Sequence, residues 1–129
     1  MIDAEYAHPL SRLDGVTVLV VEDEAIVSFL IEDMLREIGC PTVWLASSVT
    51  GALTILKDHR PDVVVLDVNL SGQEAYPVAK QLVATQIPFV FATGYGYDGI
   101  DGGWASIPVI QKPFQIETLA KALRSVLNK

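Results

Sequence analysis

Two acidic stretches stand at the ends of apolar runs: Glu22-Asp23-Glu24 follows Val16–Val21, and Asp67-Val68-Asn69 follows Val63–Leu66. Thr93 closes a third run, Phe89–Ala92, and Lys112-Pro113-Phe114 comes shortly after Val109-Ile110. Each residue has an ordinary reading by itself. Asp23 or Glu24 could cap a following helix, favoured by its dipole; Thr93 could bond backbone, and Lys112 could be solvated. Gathered in one pocket, the same residues are what phosphoryl transfer to a carboxylate requires. Such transfer needs an aspartate nucleophile, a divalent cation and a lysine to neutralise the equatorial oxygens, and a hydroxyl to bond one of them. Crowded carboxylates are costly without a cation, and hard oxygen ligands suit Mg2+. Glu22, Asp23 and Asp67 therefore imply a metal if the chain brings them together.

The elements decide whether it does. The runs Val16–Val21, Val43–Ala46, Val63–Leu66, Phe89–Ala92 and Val109-Ile110 are rich in β-branched residues and too short for helices, so they are expected as buried parallel strands. Between the first two, Val27, Leu30, Ile31, Met34, Leu35 and Ile38 recur at helical spacing until Gly39 and Pro41 end the stretch. Ser48 is placed to cap a second helix running to Asp58, and Pro77 suits the first turn of a third over Tyr76–Thr85. Ile116, Leu119, Ala120, Leu123 and Leu127 form the stripe of the last helix. A helix before the fifth strand is expected to be short or disordered. Gly94, Gly96, Gly99, Gly102 and Gly103 fall there, and each glycine costs about 1 kcal/mol against alanine in a helix.

Strands alternating with helices make a parallel α/β sheet with right-handed crossovers. At this length the three-layer flavodoxin-like fold, strand order 2-1-3-4-5, is expected, with a crevice where strands 1 and 3 end. Neighbouring strands lie about 4.8 Å apart, so Glu22, Asp23 and Asp67 would share that crevice, with Thr93 and Lys112 beyond Asp67. A cis bond between Lys112 and Pro113 would turn the lysine inward.

The chain has 129 residues, half of them hydrophobic, which suits one folded domain. Residues 1–14 are expected as a leader and 15–129 as the domain. A net charge of −7 without a basic cluster opposes nucleic acid and anionic membranes. No run approaches the length of a membrane span, and the acidic start lacks the features of a secretory signal; a cytoplasmic protein is expected. The single cysteine, Cys40, permits no internal disulfide and is expected as a buried, inert thiol. His8 and His59 are expected at the surface and support no metal cluster. Tyr95, Tyr97 and Trp104 are expected as loop anchors rather than a partner surface. No Gly-Lys-Ser/Thr sequence follows the glycines, which disfavours nucleotide binding.

Val-Leu-Val-Val-Glu-Asp-Glu at 18–24, Val-Val-Leu-Asp at 64–67, Ala92-Thr93 and Lys112-Pro113-Phe114 together resemble the receiver domains of two-component response regulators. The resemblance covers residues 15–128. It implies that Asp67 accepts a phosphoryl group from a histidine kinase, and that Asp23, Asp67 and the Asn69 backbone carbonyl hold Mg2+. Glu22 would act through a bound water, and Thr93 and Lys112 would contact the phosphoryl oxygens. It implies no enzyme in the ordinary sense, since such a domain catalyses only its own aspartyl phosphorylation and dephosphorylation.

Phe91-Ala92-Thr93-Gly94-Tyr95, with Tyr76-Pro77-Val78-Ala79, is similar to the FAT-GUY subgroup of receivers. That similarity implies kinases of the HWE or related type and a signalling surface around the loop after strand 4. Many receivers carry Met-Pro where Leu70-Ser71 stands here, and a Tyr or Phe switch ring where Val109 stands. An order change over residues 94–106 is therefore expected to report phosphorylation. Two other classes compete. A haloacid-dehalogenase-type phosphatase usually has a second Asp where Asn69 stands and a cap domain for which there is no length. A receiver-shaped interaction module without phosphate would not need all of Glu22, Asp23, Asp67, Thr93 and Lys112. With the last helix at the chain end and the charge acidic, no DNA-binding domain is expected after Lys129, and output is expected through protein contact, either on a downstream target or as a phosphoryl sink.

Overall fold

The computed structural model describes residues 13–70, 73–94 and 104–127. Its main sheet is built of β1 (Thr17–Val21), β2 (Thr42–Ala46), β3 (Val63–Asp67), β6 (Phe89–Thr93) and β7 (Val109–Gln111). All four pairings are parallel, and the order is β2-β1-β3-β6-β7. Counted along this sheet alone, that is the expected 2-1-3-4-5. β4 (Asn69–Leu70) and β5 (Gln73–Glu74) form a separate antiparallel pair just after Asp67. The helices are α1 (Ala25–Ile38), α2 (Val49–Asp58), α3 (Tyr76–Ala84) and α4 (Ile116–Leu127).

Strand alternation divides the core in two. Val18, Val20, Val63, Val65, Val90 and Ala92 face α1 and α4, meeting Ile31, Leu35, Leu119 and Leu123. Leu19, Val21, Val64, Leu66, Phe89 and Phe91 face the other way and meet Val49 and Ala52 of α2 and Val78, Ala79 and Leu82 of α3. Sheets covered on both faces produce the near-continuous apolar strands seen in the sequence. Leu13 also packs into the first cluster, while residues 1–12 of the expected leader, with His8, lie outside the described residues.

Local signals place the helix ends. Gly39 adopts φ 111°, closing α1 in the left-handed region, and a Cβ there would run into the Asp14 carboxylate. The Ser48 side chain accepts from Gly51 N–H at 2.9 Å and opens α2. Pro77 lies in the first turn of α3. Three strands run one residue past their apolar runs, to Asp67, Thr93 and Gln111, because each of these pairs with a neighbouring strand: Asp67 with Ala92, and Thr93 with Gln111. Asp67 and Thr93 thus sit within the ladder at the carboxyl ends of interior strands. The Lys112–Pro113 bond is cis. The helix expected to be short or disordered falls on residues 95–103, with Tyr95 and Tyr97, outside the described residues.

Candidate functional site

Glu22, Asp23 and Asp67 converge, each offering a carboxylate oxygen within 4.8 Å of the others. β1 and β3 are neighbours, and their register pairs Val21 with Leu66, so the residues that follow emerge side by side. Glu22 is 2% exposed and the Asp67 side chain 7%, while Asp23 is partly open. At an effective dielectric of about 20, two unit charges 4.8 Å apart repel by about 3 kcal/mol. Such a cluster needs positive charge.

Lys112 supplies one. Its Nζ donates to Glu22 Oε1 at 2.8 Å and to Asp67 Oδ2 at 3.2 Å. Its position follows from the sheet, because Lys112 N–H donates to the Thr93 carbonyl at 2.8 Å, continuing the β6–β7 pairing beyond the strands. Burial acts to lower the Lys112 pKa, but the hydrogen bond to Glu22 and the charges of Asp67 and Glu22 outweigh it and hold the ammonium above its ordinary value. Burial lifts the Glu22 carboxyl above the usual range; the hydrogen bonds from Lys112 and from Glu24 N–H oppose this, and the Asp67 charge adds to it.

Capping is part of the picture, and Glu22 contributes to it. Glu24 occupies the N-cap position of α1 without a side-chain cap bond. Instead Glu22 Oε2 accepts from Glu24 N–H at 3.1 Å. One Glu22 oxygen orients the helix start while the other holds Lys112. Asp67 Oδ1 similarly accepts from Asn69 N–H at 3.2 Å, and Ala75 N–H donates to the Val68 carbonyl at 2.9 Å. The β4–β5 hairpin, which pairs Asn69 with Glu74, therefore fixes the backbone beside Asp67. Thr93 is 2% exposed at the end of β6.

The carboxylates open into a cavity of about 580 Å³ lined by Asp23, Asp67, Asn69 and Lys112 on one side and by Val27, Leu30, Ile31, Met34 and Phe114 on the other. Sequence patterning assigned Leu30 to the buried stripe of α1. It is 54% exposed, next to Ile26 at 74% and Phe29 at 56%. Ile26 and Phe29 lie outside the helical repeat that feeds the core, and two large apolar residues off the stripe were the available signal for this face. The β4–β5 hairpin was not legible, since two-residue strands have no periodicity.

A hydroxyl, an ammonium and three carboxylates at the carboxyl ends of a parallel doubly wound sheet define a response regulator receiver domain. The family model for that domain matches residues 18–124, and the chain belongs to this family. Among solved structures it is similar to SdrG from Sphingomonas melonis Fr1, at 41% identity and a TM-score of 0.77, over 87% of this chain and 96% of that one. Among curated proteins it is 28% identical to the transcriptional regulatory protein PdtaR of Mycobacterium tuberculosis over 87% of its length, and spans 57% of that relative. The fold also matches the receiver domain of the sensor histidine kinase PA1611 from Pseudomonas aeruginosa, solved with a magnesium ion coordinated in its active-site cleft. That match has 24% identity and a TM-score of 0.79, over 89% of this chain and 99% of that one.

The remaining expectations divide. Cys40 is buried, its thiol near the Leu13 carbonyl, and burial pushes its pKa up to about 11, with Asp14 and Asp62 adding. His59 is exposed and packs edge-on against Trp44. Trp104 packs on the second core cluster, as an anchor would. Among the described residues no helix is long and apolar enough to cross a membrane.

Proposed function

We propose that this chain accepts a phosphoryl group on Asp67 from the phosphohistidine of a histidine kinase, in a Mg2+-dependent reaction, and signals by protein contact. The observation that carries this reading is the convergence of Asp67 with Glu22, Asp23 and Lys112 at the mouth of one cavity. Ligands about 2.1 Å from a magnesium ion lie about 3.0 Å apart when adjacent and about 4.2 Å when opposite, so carboxylates within 4.8 Å of one another need to close by at most about 2 Å. Asp23, Asp67 and the Asn69 carbonyl would hold the ion directly and Glu22 through a water. When bound, it neutralises charge on the transferring phosphoryl group.

The chain's own residues do the rest. An Asp67 oxygen attacks phosphorus as the bond to the imidazole nitrogen breaks, and the imidazole leaves with the bonding pair. Lys112, already charged and aimed at Asp67, balances the phosphoryl oxygens. Thr93 is the hydroxyl donor to one of them. The apolar face of Ile26, Phe29 and Leu30 beside the cavity suits the helix that carries the donor histidine. Kinases of the HWE or related type, and an output by target docking or as a phosphoryl sink, remain parts of the same proposal, as does a cytoplasmic location.

The test is incubation with acetyl phosphate, with and without Mg2+, followed by intact mass and peptide mapping. One added phosphoryl group, dependent on Mg2+ and mapped to Asp67, is expected. No labelling, or labelling elsewhere, would overturn the reading.

A further inference from the structure

The backbone that follows Asp67 turns back on itself at once. Asn69 faces Glu74 and Leu70 faces Gln73 across the antiparallel pair of β4 and β5. One step further along, Ala75 N–H donates to the Val68 carbonyl at 2.9 Å. Hydrogen-bonded and non-hydrogen-bonded pairs alternate along such a ladder. The bond between Ala75 and Val68 therefore makes Asn69 and Glu74 a non-hydrogen-bonded pair, with Leu70 and Gln73 the next bonded one. The ladder is anchored at both levels of structure around it. Leu70 and Ala75 are buried in the second core cluster, and the Ala75 carbonyl accepts from Val78 and Ala79 N–H at 3.0 and 3.1 Å to start α3.

This alternation decides where the Asn69 backbone points. Its N–H and carbonyl both face away from Glu74, because in an extended residue the two groups lie on one edge of the strand. The N–H donates to Asp67 Oδ1 at 3.2 Å, so the carbonyl is turned to the Asp67 side as well. Asn69 lines the cavity together with Asp23 and Asp67. Without the hairpin, these residues would have to be ordered as a cation arrives, at a cost in backbone entropy for each residue fixed.

We propose that the β4–β5 hairpin is a positioning device for the metal, which sets the Asn69 carbonyl on the Asp67 side in advance, so that Mg2+ enters without ordering this loop. This rests on the Mg2+ site of the phosphoacceptor reading above. Mg2+ demands near-ideal octahedral geometry, so a ligand held in place in advance favours it. Val68, Leu70, Gln73 and Ala75 carry the hairpin through their backbones. They act as the outer supports of a metal ligand do, by fixing its orientation.

Titrating the whole chain with MgCl2 and following backbone amide shifts gives the dissociation constant, while urea unfolding in EDTA reads stability apart from the metal. Ala75→Pro removes the N–H that holds Val68. Ala75 has φ −90°, close to the proline range, and Glu74 before it is extended, as a residue preceding proline must be. The variant should unfold cooperatively and bind Mg2+ about tenfold more weakly. Ala75→Ser keeps the N–H and should bind as tightly as the unaltered chain. If Ala75→Pro does not fold, Gln73→Pro takes its place, and amide exchange in the unaltered chain needs no variant: Leu70 and Ala75 N–H should be protected in EDTA. A folded proline variant with unchanged affinity would overturn the hairpin's role alone, as would equal weakening in Ala75→Ser or amides protected only once Mg2+ is added. No saturable shift with Mg2+ in the unaltered chain would overturn the metal site and the hairpin's role with it.

Discussion

Lys112 makes its shorter bond to Glu22, 2.8 Å, and its longer one to Asp67, 3.2 Å. The lysine is therefore tied to the strand that carries the acidic cluster as well as to Asp67. Glu22 in turn divides its two oxygens between Lys112 and the backbone that starts α1. A buried pair of this kind resists loss of either partner more than its net contribution suggests, because the survivor is left charged and unpaired.

Lys112→Ala should expose that asymmetry. Loss of the ammonium leaves Glu22 and Asp67 buried without a counter-charge and should destabilise the fold by about 3 kcal/mol in urea unfolding with EDTA. Added Mg2+ should recover part of the loss. A variant as stable as the wild type without metal would show that the pair carries no structural weight.

Asp67→Asn removes the nucleophile and one of the crowded charges together. Labelling by acetyl phosphate should vanish, with the melting temperature unchanged or raised. Labelling at the wild-type rate would mean another residue accepts the phosphoryl group.

Mg2+ should stabilise the chain by mass action, by about 1.4 kcal/mol at ten times its Kd, or about 4–6 °C for a domain of this size. The increment should grow with pH. The folded-state pKa of Glu22 is raised, so its contribution to stability is present below the ordinary carboxylate pKa and lost as pH rises through the folded value. The metal offsets that loss by favouring the ionised form. Melting curves at pH 5 and pH 7.5, with and without Mg2+, measure it; Asp23→Ala should remove the shift.

Cys40 predicts an alkaline limit. Its folded pKa of about 11 lies above the ordinary 9.0, so the stability it contributes is present below pH 9.0 and lost as pH rises through 11. The loss should approach about 2–3 kcal/mol at 1.36 kcal/mol per pH unit. Cys40→Ala should flatten this part of the stability curve, read by urea unfolding from pH 8 to 11. The thiol of the native wild type should also react slowly with alkylating reagents at pH 8.

Phe29→Asp tests the exposed face of α1. Phe29 is 56% exposed, so the fold should be nearly unaffected. Transfer from a cognate kinase should fall at least about tenfold, as for loss of an aromatic anchor, while acetyl phosphate labelling is retained. Equal loss with both donors would place the effect in the pocket rather than on a docking surface.

The sequence by itself determined the element types, their order, the two-sided core and the acids, hydroxyl and lysine of the pocket. These are legible because burial on both sheet faces imposes short β-branched runs, helices impose a 3.6-residue repeat, and functional residues fall where those runs end. Only the tertiary structure decided which groups touch. Lys112 and Glu22 lie 90 residues apart, and no local pattern says that their bond is shorter than the one to Asp67; strand register and the rotamer available to the lysine set that. The same holds for the hairpin beside Asp67, too short to leave a period, and for Ile26, Phe29 and Leu30, whose exposure depends on what does not pack against them. Trp104 was legible as an aromatic near a glycine-rich stretch, but its parallel stack on Tyr76 exists only because α3 and the turn before β7 meet over Phe91.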